Sequence, residues 1–325
     1  MRAIVTACLI LAACRDEQNL GNMPTRQILT MSSTEQLQDL RLDDGYVYLL
    51  TNQTFDSQAV DVFRIPQGGG AVEMITETPG QQDGFGAVLA VDDTYVYTAF
   101  LPPMQQTMAL MRAPKAGGVT EIIDDGVGGE SVVAVDDAFL YTVVEDAGQT
   151  TLRGYPKAGG SLVAITSPVS ITSNVVAHDK LLYYVDQNAT LVSVPRIGGS
   201  PTEIELDANA SQLVADADNL YFVQDTNTGG PFSTCTGVLT AVPFAGGSPR
   251  QLGTTAGCAE GLAIGSNELY VVDDHGNLAA YGLDGTSSPL VTELAQPQHL
   301  VAASDGSALY YALQDSIIRL GFDDN

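Results

Sequence analysis

The sequence VVAVDDAFLY, at residues 132–141, decides the fold, because related stretches return along the whole chain. Clear copies occupy residues 88–97, 175–184 and 213–222, and weaker copies occupy 39–48, 261–270 and 300–310. A chain that repeats one short pattern at a steady interval builds a repeat architecture, in which each unit is one supersecondary motif.

A second motif, Pro-x-x-Gly-Gly, follows each of the first five copies and gives the repeat length. Its prolines are Pro66, Pro114, Pro156, Pro195 and Pro243, with spacings of 48, 42, 39 and 48 residues. The sixth unit carries a relaxed version, Gly-Leu-Asp-Gly, at residues 282–285. This period is that of a propeller blade made of four short strands.

Each unit contains four β-rich runs, named strands a to d. In the third unit they are residues 131–135, 139–144, 151–155 and 162–166. Asp-Asp forms the turn between strands a and b, because the aspartate side chain accepts hydrogen bonds from nearby backbone N–H groups. Pro-x-x-Gly-Gly forms the turn between strands c and d, because Pro fixes φ and Gly accepts a positive φ. The chain has no amphipathic helical stretch of useful length, so we expect an all-β protein.

The two ends of the chain give the number of blades. The seventh unit stops after its strand c, at residues 317–320, and an unassigned apolar run at 27–31 precedes the first unit. That run can pair as the missing strand d, which closes the ring and removes two exposed sheet edges. We predict one domain over residues 26–325. It is a seven-bladed β-propeller of four-stranded antiparallel blades, with an N-terminal strand completing the last blade.

The Asp-x-x-x-Tyr and Val-Pro-Lys-x-Gly-Gly repeats resemble those of bacterial secreted and lipoprotein propellers of the broad YWTD/NHL/TolB-like group. The resemblance covers about 90% of the chain and rests on a repeat consensus that carries no catalytic signature. It implies the propeller fold and leaves the activity open. The absence of tryptophan excludes the tryptophan-docking repeats of quinone-dependent dehydrogenase propellers.

Residues 1–13 are typical of a signal segment, since Arg2 precedes an apolar stretch too short to span a bilayer. The stretch ends in Leu-Ala-Ala-Cys, which resembles the bacterial lipobox and implies lipidation of Cys14. Residues 14–25 then form a polar tether. Arg15 replaces the aspartate that retains many Gram-negative lipoproteins in the inner membrane, so the resemblance implies an exported protein anchored to the outer membrane. An ordinary signal peptide with an incidental cysteine is the alternative.

The remaining cysteines form one pair. Cys8 leaves with the signal segment and Cys14 takes the lipid, so Cys235 and Cys258 remain. An even pair in an oxidising compartment predicts a disulfide, and two separate thiols are the alternative.

The charge of the chain narrows the choice of partners. It carries 39 acidic residues against 13 basic ones, a formal net charge of −26. Such a surface repels nucleic acid and anionic lipid headgroups, so neither is expected as a partner. It suits cationic partners or divalent cations, although an acidic surface also serves solubility alone.

The phase of the repeat places the a–b and c–d turns on one face and the b–c and d–a loops on the other. Because the turns recur in one register, we interpret Lys115, Lys157, Arg196 and the Asp-Asp pairs as turn residues and not as calcium ligands. The b–c loops instead vary, and they are long in the first, second and fifth units. Variable loops on a rigid scaffold are where binding usually occurs.

Strand a lines the central channel, and its entrance from the variable loops is mostly polar. The residues in one register are Gln38, Ala87, Ser131, Asn174, Gln212, Glu260 and His299. Convergent polar groups at a channel mouth are candidates for ligand binding. Glu260 and His299 come from neighbouring blades and could form an acid–base or metal-binding pair. A wet channel mouth without a function is the alternative.

The chain lacks the usual catalytic and nucleotide-binding motifs, such as Gly-x-Ser-x-Gly, the phosphate-binding loop and His-Glu-x-x-His. With three histidines, a multi-histidine metal centre is not expected. We therefore predict a non-enzymatic, lipid-anchored scaffold without a cofactor, which binds a protein or surface ligand through its variable loops. The alternative is a hydrolase or lyase of the lactonase-like propeller type, with Glu260 and His299 acting at the channel mouth beside a divalent cation.

Overall fold

The computed structural model describes most of the chain from residue 25 to residue 322. The gaps in this range are residues 33–34, 54–59, 79–88, 103–107, 128–129, 147–148, 167–169, 228–234, 292–293, 295–297 and 314–315. The signal segment, Cys14 and the tether up to residue 24 lie outside the described residues. Within these residues, no helix has the length and apolar character needed to cross a membrane.

In the described part of the chain, twenty-eight strands form seven four-stranded antiparallel sheets, which confirms the predicted fold. Blade 1 contains β2 (Glu35–Asp43), β3 (Tyr46–Gln53), β4 (Val60–Pro66) and β5 (Glu73–Thr78). Blade 2 contains β6 (Ala90–Val91), β7 (Tyr95–Phe100), β8 (Met108–Pro114) and β9 (Glu121–Val127). Blade 3 contains β10 (Glu130–Val135), β11 (Phe139–Asp146), β12 (Gln149–Pro156) and β13 (Val163–Ala164).

The later blades repeat the same order of strands. Blade 4 contains β14 (Val176–His178), β15 (Leu181–Val185), β16 (Thr190–Pro195) and β17 (Thr202–Glu205). Blade 5 contains β18 (Ala210–Ala215), β19 (Asn219–Asn227), β20 (Cys235–Pro243) and β21 (Arg250–Thr254). Blade 6 contains β22 (Ala259–Ile264), β23 (Glu268–Asp273), β24 (Leu278–Gly282) and β25 (Ser287–Val291).

Blade 7 joins the two ends of the chain. It contains β26 (Gln298–Ala302), β27 (Ala308–Leu313) and β28 (Ser316–Gly321), and its outer strand is β1 (Thr25–Thr30). β1 runs antiparallel to β28, with Thr25 opposite Leu320 and Thr30 opposite Ser316. The N-terminal strand therefore closes the ring as predicted.

The hydrophobic core lies between the blades and not within one blade. Each of the seven buried clusters formed by the described residues combines side chains of two neighbouring blades. In one of them, Tyr48 and Val62 of blade 1 pack with Val96 and Met111 of blade 2. Because an isolated sheet cannot bury both of its faces, every blade depends on its two neighbours.

The Asp-Asp turns and the recurring tyrosine form one structural unit. The Asp92 carboxylate accepts the N–H groups of Thr94 and Tyr95, at 2.8 and 2.7 Å, and the hydroxyl of Tyr97, at 2.7 Å. Burial alone would raise the pKa of Asp92, but these donors and Lys157 hold it below the usual value. Asp136 with Tyr141 and Asp216 with Tyr221 repeat the arrangement. Aspartate thus serves here as a turn residue and as the partner of a buried tyrosine hydroxyl.

The basic residues of the Pro-x-x-Gly-Gly turns reach across to the preceding blade. Lys115 pairs with Asp43 and Asp44, and Lys157 pairs with Asp92. Arg196 donates to Asp136 at 2.8 Å and to Asp137 at 2.6 Å. These three side chains are therefore links between blades as well as turn residues, a role that the sequence analysis did not identify.

Aromatic residues take the same turn position in two later blades. The Phe244 ring stacks on His178 of the preceding blade, with ring centroids 3.8 Å apart and planes within 9°. The Phe322 ring stacks on Tyr270, with centroids 5.3 Å apart. The position after strand c therefore contacts the preceding blade with different chemistry in different parts of the ring.

Candidate functional site

The two ends of the propeller differ in their connections. We call the end with the a–b and c–d turns the turn face, and the end with the b–c and d–a loops the variable face. Asp44 and Gly45, both with positive φ, close the first a–b turn. Asp186 to Thr190 close a b–c hairpin on the variable face, where the Asp186 carboxylate accepts the N–H groups of Asn188 and Thr190.

A central cavity of about 710 Å³ opens between the inner strands. Its polar lining residues are Asp39, Arg41, Asn174, Gln212, Glu260 and His299. Four of these, Asn174, Gln212, Glu260 and His299, belong to the register that the sequence analysis selected. The structure therefore brings these four candidates to one cavity and adds Asp39 and Arg41 to it.

The two amide side chains in the cavity link neighbouring blades. Asn174 donates to the carbonyl of Leu213 at 2.9 Å and accepts the N–H of Leu213 at 2.6 Å. Gln212 donates to the carbonyl of Glu260 at 2.8 Å and accepts the N–H of Leu262 at 2.6 Å. Each amide thus imitates a peptide group and satisfies a donor and an acceptor on the inner strand of the next blade.

Asp39 and Arg41 together form a similar link between blades 1 and 2. The buried Asp39 carboxylate accepts the N–H groups of Leu40 and Leu89, both at 2.8 Å. Arg41 donates to the carbonyl of Leu89 at 2.9 Å, and a guanidinium nitrogen lies 3.0 Å from Asp39. Two charged side chains therefore satisfy the N–H and carbonyl of Leu89. In the links of blade 4 to 5 and blade 5 to 6, a single amide side chain does this for the next inner strand.

Irregular pairing decides which side chain faces the cavity in blade 1. The register between β2 and β3 shifts between Leu37 and Asp39, a β-bulge that re-aims the following side chain. Gln38 donates instead to Asn52 of its own blade at 3.3 Å, so Asp39 lines the cavity. Ala87 lies outside the described residues, and of Ser131 only the backbone, in β10, is described.

Glu260 and His299 are the remaining polar candidates. Glu260 is solvent-exposed at the start of β22, and His299 lies on β26 with a positive φ of 51°. Bulges in both strands fall at these residues. The His299 Nδ1 lies 3.8 Å from an Asp39 oxygen, and its side chain is 30% exposed.

The imidazole of His299 is held neutral. Burial lowers its pKa below the usual value of 6.5; the nearby Asp39 carboxylate opposes this shift, and Arg41 adds to it. At neutral pH the ring therefore carries one proton and offers one free lone pair, so it is able to accept a proton from a molecule in the cavity.

The predicted disulfide is confirmed beside the cavity mouth. Cys235, the first residue of β20, is bonded to Cys258 in the following d–a loop, with Cα atoms 5.1 Å apart. The adjacent Asp225 carboxylate accepts the N–H of Ala259 at 3.0 Å. Burial, and the negative charges of Asp274 and Glu260, raise the pKa of Asp225. The variable face is thus acidic where blades 5 and 6 meet, a feature that the repeat register did not reveal.

Among the residues that the structure describes, two groups of side chains have ligand atoms close enough to hold a metal ion. Asp273, Asp274 and His275 form one group, and Asp225 with the two disulfide cysteines forms the other. The bonded cysteines are not thiolates and cannot act as normal ligands. Asp273 already accepts the N–H groups of His275 and Asn277, at 3.0 and 2.8 Å, which closes the hairpin. These contacts favour a structural role for Asp273.

Comparison with known proteins supports the propeller fold but does not assign the chain to a family. No protein-family model matches the chain, and no curated protein matches it in sequence. Among solved structures, an oligogalacturonate lyase in complex with manganese is 11% identical with a TM-score of 0.68, over 93% of this chain and 96% of that one. A catalytically inactive virginiamycin B lyase from Staphylococcus aureus, with quinupristin, is 12% identical with a TM-score of 0.62, over 93% and 100%.

A third similar structure is a protein complex. YCF48 bound to D1 peptide is 11% identical with a TM-score of 0.64, over 93% of this chain and 98% of that one. Propellers of this shape therefore include both lyases and a peptide-binding protein. At such low identity the likeness extends to the fold alone.

Proposed function

We propose that this protein is a lipid-anchored scaffold of the bacterial cell envelope, attached through Cys14 to the outer membrane, which binds a protein or peptide at its variable face. The observation that carries the proposal is the use of the polar groups in the cavity. Asp39, Arg41, Asn174 and Gln212 hold the backbone of the next blade, so they stabilise the ring instead of offering free groups for chemistry.

The shape and charge of the variable face support the same proposal. The disulfide fixes the start of β20 to the loop before β22, which holds part of this face rigid. Asp225, Asp274 and Glu260 make the region acidic, and the pKa of Asp225 is raised in part by its two like-charged neighbours. A rigid acidic surface favours a partner that presents lysine or arginine side chains.

A positional cross-linking experiment tests this proposal. A photoreactive amino acid is placed at Gln187 or His275 on the variable face, and at Ala116 or Ala245 on the turn face; all four positions are exposed. We expect one discrete protein adduct from the variable-face positions, lost when Asp225 and Asp274 are changed to Asn. Equal adducts from both faces, or none from the variable face, would contradict the proposal.

A second candidate function is a lyase or hydrolase that acts at the channel mouth. The observation in its favour is the neutral His299 in the cavity, with Glu260 on the neighbouring inner strand. A neutral imidazole is the form that removes a proton from a substrate. A divalent cation bound by Glu260 would complete such a site.

Thermal unfolding separates the two candidates. The melting temperature is measured with and without Mn²⁺ or Ca²⁺, for the native protein and for Glu260→Gln. A cation that binds the folded state alone raises the melting temperature. The enzyme candidate predicts a rise that Glu260→Gln removes, whereas the scaffold predicts no shift that depends on Glu260.

A further inference from the structure

The chain enters the propeller at the turn face. β28 is strand c of blade 7 and runs toward the turn face, and β1 is antiparallel to it. Thr25, opposite Leu320, therefore lies at the turn-face end of β1, and Thr30 at the other end. The Arg26 guanidinium donates to the carbonyl of Gly68 in the first c–d turn at 2.8 Å, which fixes this position. An anchor that precedes Thr25 is therefore attached to the propeller at its turn face.

The length of chain before Thr25 limits the orientation. Residues 15–24 separate Cys14 from β1. Eleven residue steps reach at most about 36–40 Å, and an unordered chain of that length spans on average about 17–20 Å. The middle strands of the blades, most of them six to eight residues long, make the propeller about 20–26 Å high. An anchor at Cys14 therefore reaches the turn face easily, but must extend along the whole height to bring the variable face to a bilayer.

The most exposed large apolar side chains lie at the same end. Among the described residues they are Met74, Val119, Ile122, Leu162 and Ile197, with exposed fractions from 42% to 83%. Val119 and Leu162 follow c–d turns, Ile197 lies within one, and Met74 and Ile122 are the second residues of outer strands. All five therefore lie toward the turn face of blades 1 to 4. The five side chains are spread over four blades but share one end of the ring, which makes that end the candidate contact surface.

We propose that the anchored protein stands with its turn face on the lipid bilayer. The apolar side chains of blades 1 to 4 lie at the headgroup boundary, and the channel mouth and the disulfide point away from the membrane. This inference rests on the proposed lipidation of Cys14. The occupant of the apolar end is the bilayer, because the anchor holds that end against lipid. The net charge of −26 favours zwitterionic over anionic lipid.

This orientation determines which partners reach the binding face. A partner must approach the channel mouth from the aqueous side, about one propeller height from the anchored leaflet. The site therefore fits a soluble protein, or a domain that projects from a membrane, and not the membrane-embedded part of a protein in the same leaflet.

Fluorescence quenching tests the orientation. Ala116→Cys on the turn face and Gln187→Cys on the variable face provide matched labelling sites, since both residues are exposed in hairpin turns. The lipidated mature protein, which begins at Cys14, is placed in zwitterionic vesicles that carry a quencher on the lipid headgroups. We expect several-fold stronger quenching of the label at Ala116 than of the label at Gln187. Equal or reversed quenching would overturn the orientation and leave the anchor intact.

Two further variants separate this inference from the proposal beneath it. Cys14→Ser should not bind the vesicles; if the native protein also fails to bind, the anchor and the orientation both fall. Val119→Ser combined with Ile197→Ser should remain bound through the lipid, while the quenching at Ala116 falls toward the value at Gln187. Unchanged quenching in this double variant would show that the apolar side chains do not contact the bilayer.

Discussion

The three contacts that join blade 1 to 2, blade 2 to 3 and blade 3 to 4 use the same two positions of the repeat as the contact between blades 4 and 5, but their chemistry differs. We call each such contact between neighbouring blades a seam. The first position is the last residue before the a–b turn, and the second is the residue after strand c of the next blade. Asp136 and Arg196 fill these positions between blades 3 and 4, whereas His178 and Phe244 fill them between blades 4 and 5. The repeat therefore preserves a contact across the seam and not a particular charge.

The comparison also separates two roles of the aspartate. Asp136 accepts two backbone N–H groups of its own turn, the hydroxyl of Tyr141 and the guanidinium of Arg196. At the stacked seam, Asp179 and Lys180 close the turn with positive φ values, and the Asp179 carboxylate lies 3.6 Å from the His178 ring nitrogen instead of accepting a tyrosine hydroxyl or a guanidinium. The stacked seam thus depends on ring packing, and the charged seam on a network of hydrogen bonds.

The largest effect is expected from Asp136→Ala. It leaves the Tyr141 hydroxyl and Arg196 without this partner and removes the turn bonds, so we expect a loss of about 2–4 kcal/mol in the free energy of unfolding. Urea denaturation measures it. The control is Asp137→Ala, because Asp137 is 82% exposed and its ion pair with Arg196 should contribute less than about 1 kcal/mol. Equal losses in the two variants would contradict the network.

A smaller loss is expected at the stacked seam. Phe244→Ala removes ring contacts with His178 and Tyr183, whose centroids lie 3.8 and 5.0 Å from that of Phe244. We expect a loss of about 1–2 kcal/mol in urea denaturation, independent of salt because no ion pair is broken. Phe244→Tyr keeps the ring and should behave like the native protein. A loss that shrinks in high salt would show that the seam is electrostatic.

The pH dependence should distinguish the aspartate turns from the stacked seam. The pKa of Asp136 is lowered in the folded protein: burial opposes the shift, and Tyr141, Arg196 and two N–H groups outweigh it. The unfolded carboxyl thus binds protons at higher pH, and the stabilisation is present above about pH 4 and lost as pH falls through the folded pKa. In Asp136→Asn, the free energy of unfolding should decrease less steeply with falling pH below pH 4 than in the native protein. In Phe244→Ala, the steepness of this decrease should be the same as in the native protein. Circular dichroism in urea at pH 3 to 6 measures both.

The smallest effect is expected from exchanging the two chemistries. His178→Asp with Phe244→Lys places the charged pair of the earlier seams between blades 4 and 5. Each single variant should destabilise the protein. The loss in the free energy of unfolding of the double variant should be smaller than the sum of the two single losses by about 0.5–1 kcal/mol. A double-mutant cycle measures this coupling. A coupling of zero would mean that the backbone at this seam does not let the two side chains meet.

Much of the fold follows from short-range sequence signals. The strands of the third blade are predicted at 131–135, 139–144, 151–155 and 162–166, and lie at Glu130–Val135, Phe139–Asp146, Gln149–Pro156 and Val163–Ala164. Only the outer strand is clearly shorter than predicted. Turn residues mark the boundaries because Asp, Pro and Gly act on the backbone within a few residues.

The candidate site is less predictable because its side chains are placed by bulges. A constant register along strand a selects Gln38, but the shift between Leu37 and Asp39 brings Asp39 to the cavity. A bulge changes the side-chain direction without a marked sequence signal, so Asp39 and Arg41 were missed. The aligned repeats likewise match Asp179 with Asp136, whereas the strand pairing places His178 at that position.

The sequence by itself predicted the number of blades, the closure of the ring and the pairing of Cys235 with Cys258, because repeats, turn residues and cysteine counts can be read directly from the chain. Only the tertiary structure decided which side chains line the cavity, which of them hold the next blade, and which residues meet across each seam. Those contacts join residues about 40 to 70 positions apart, and their geometry depends on how complete blades twist and pack together.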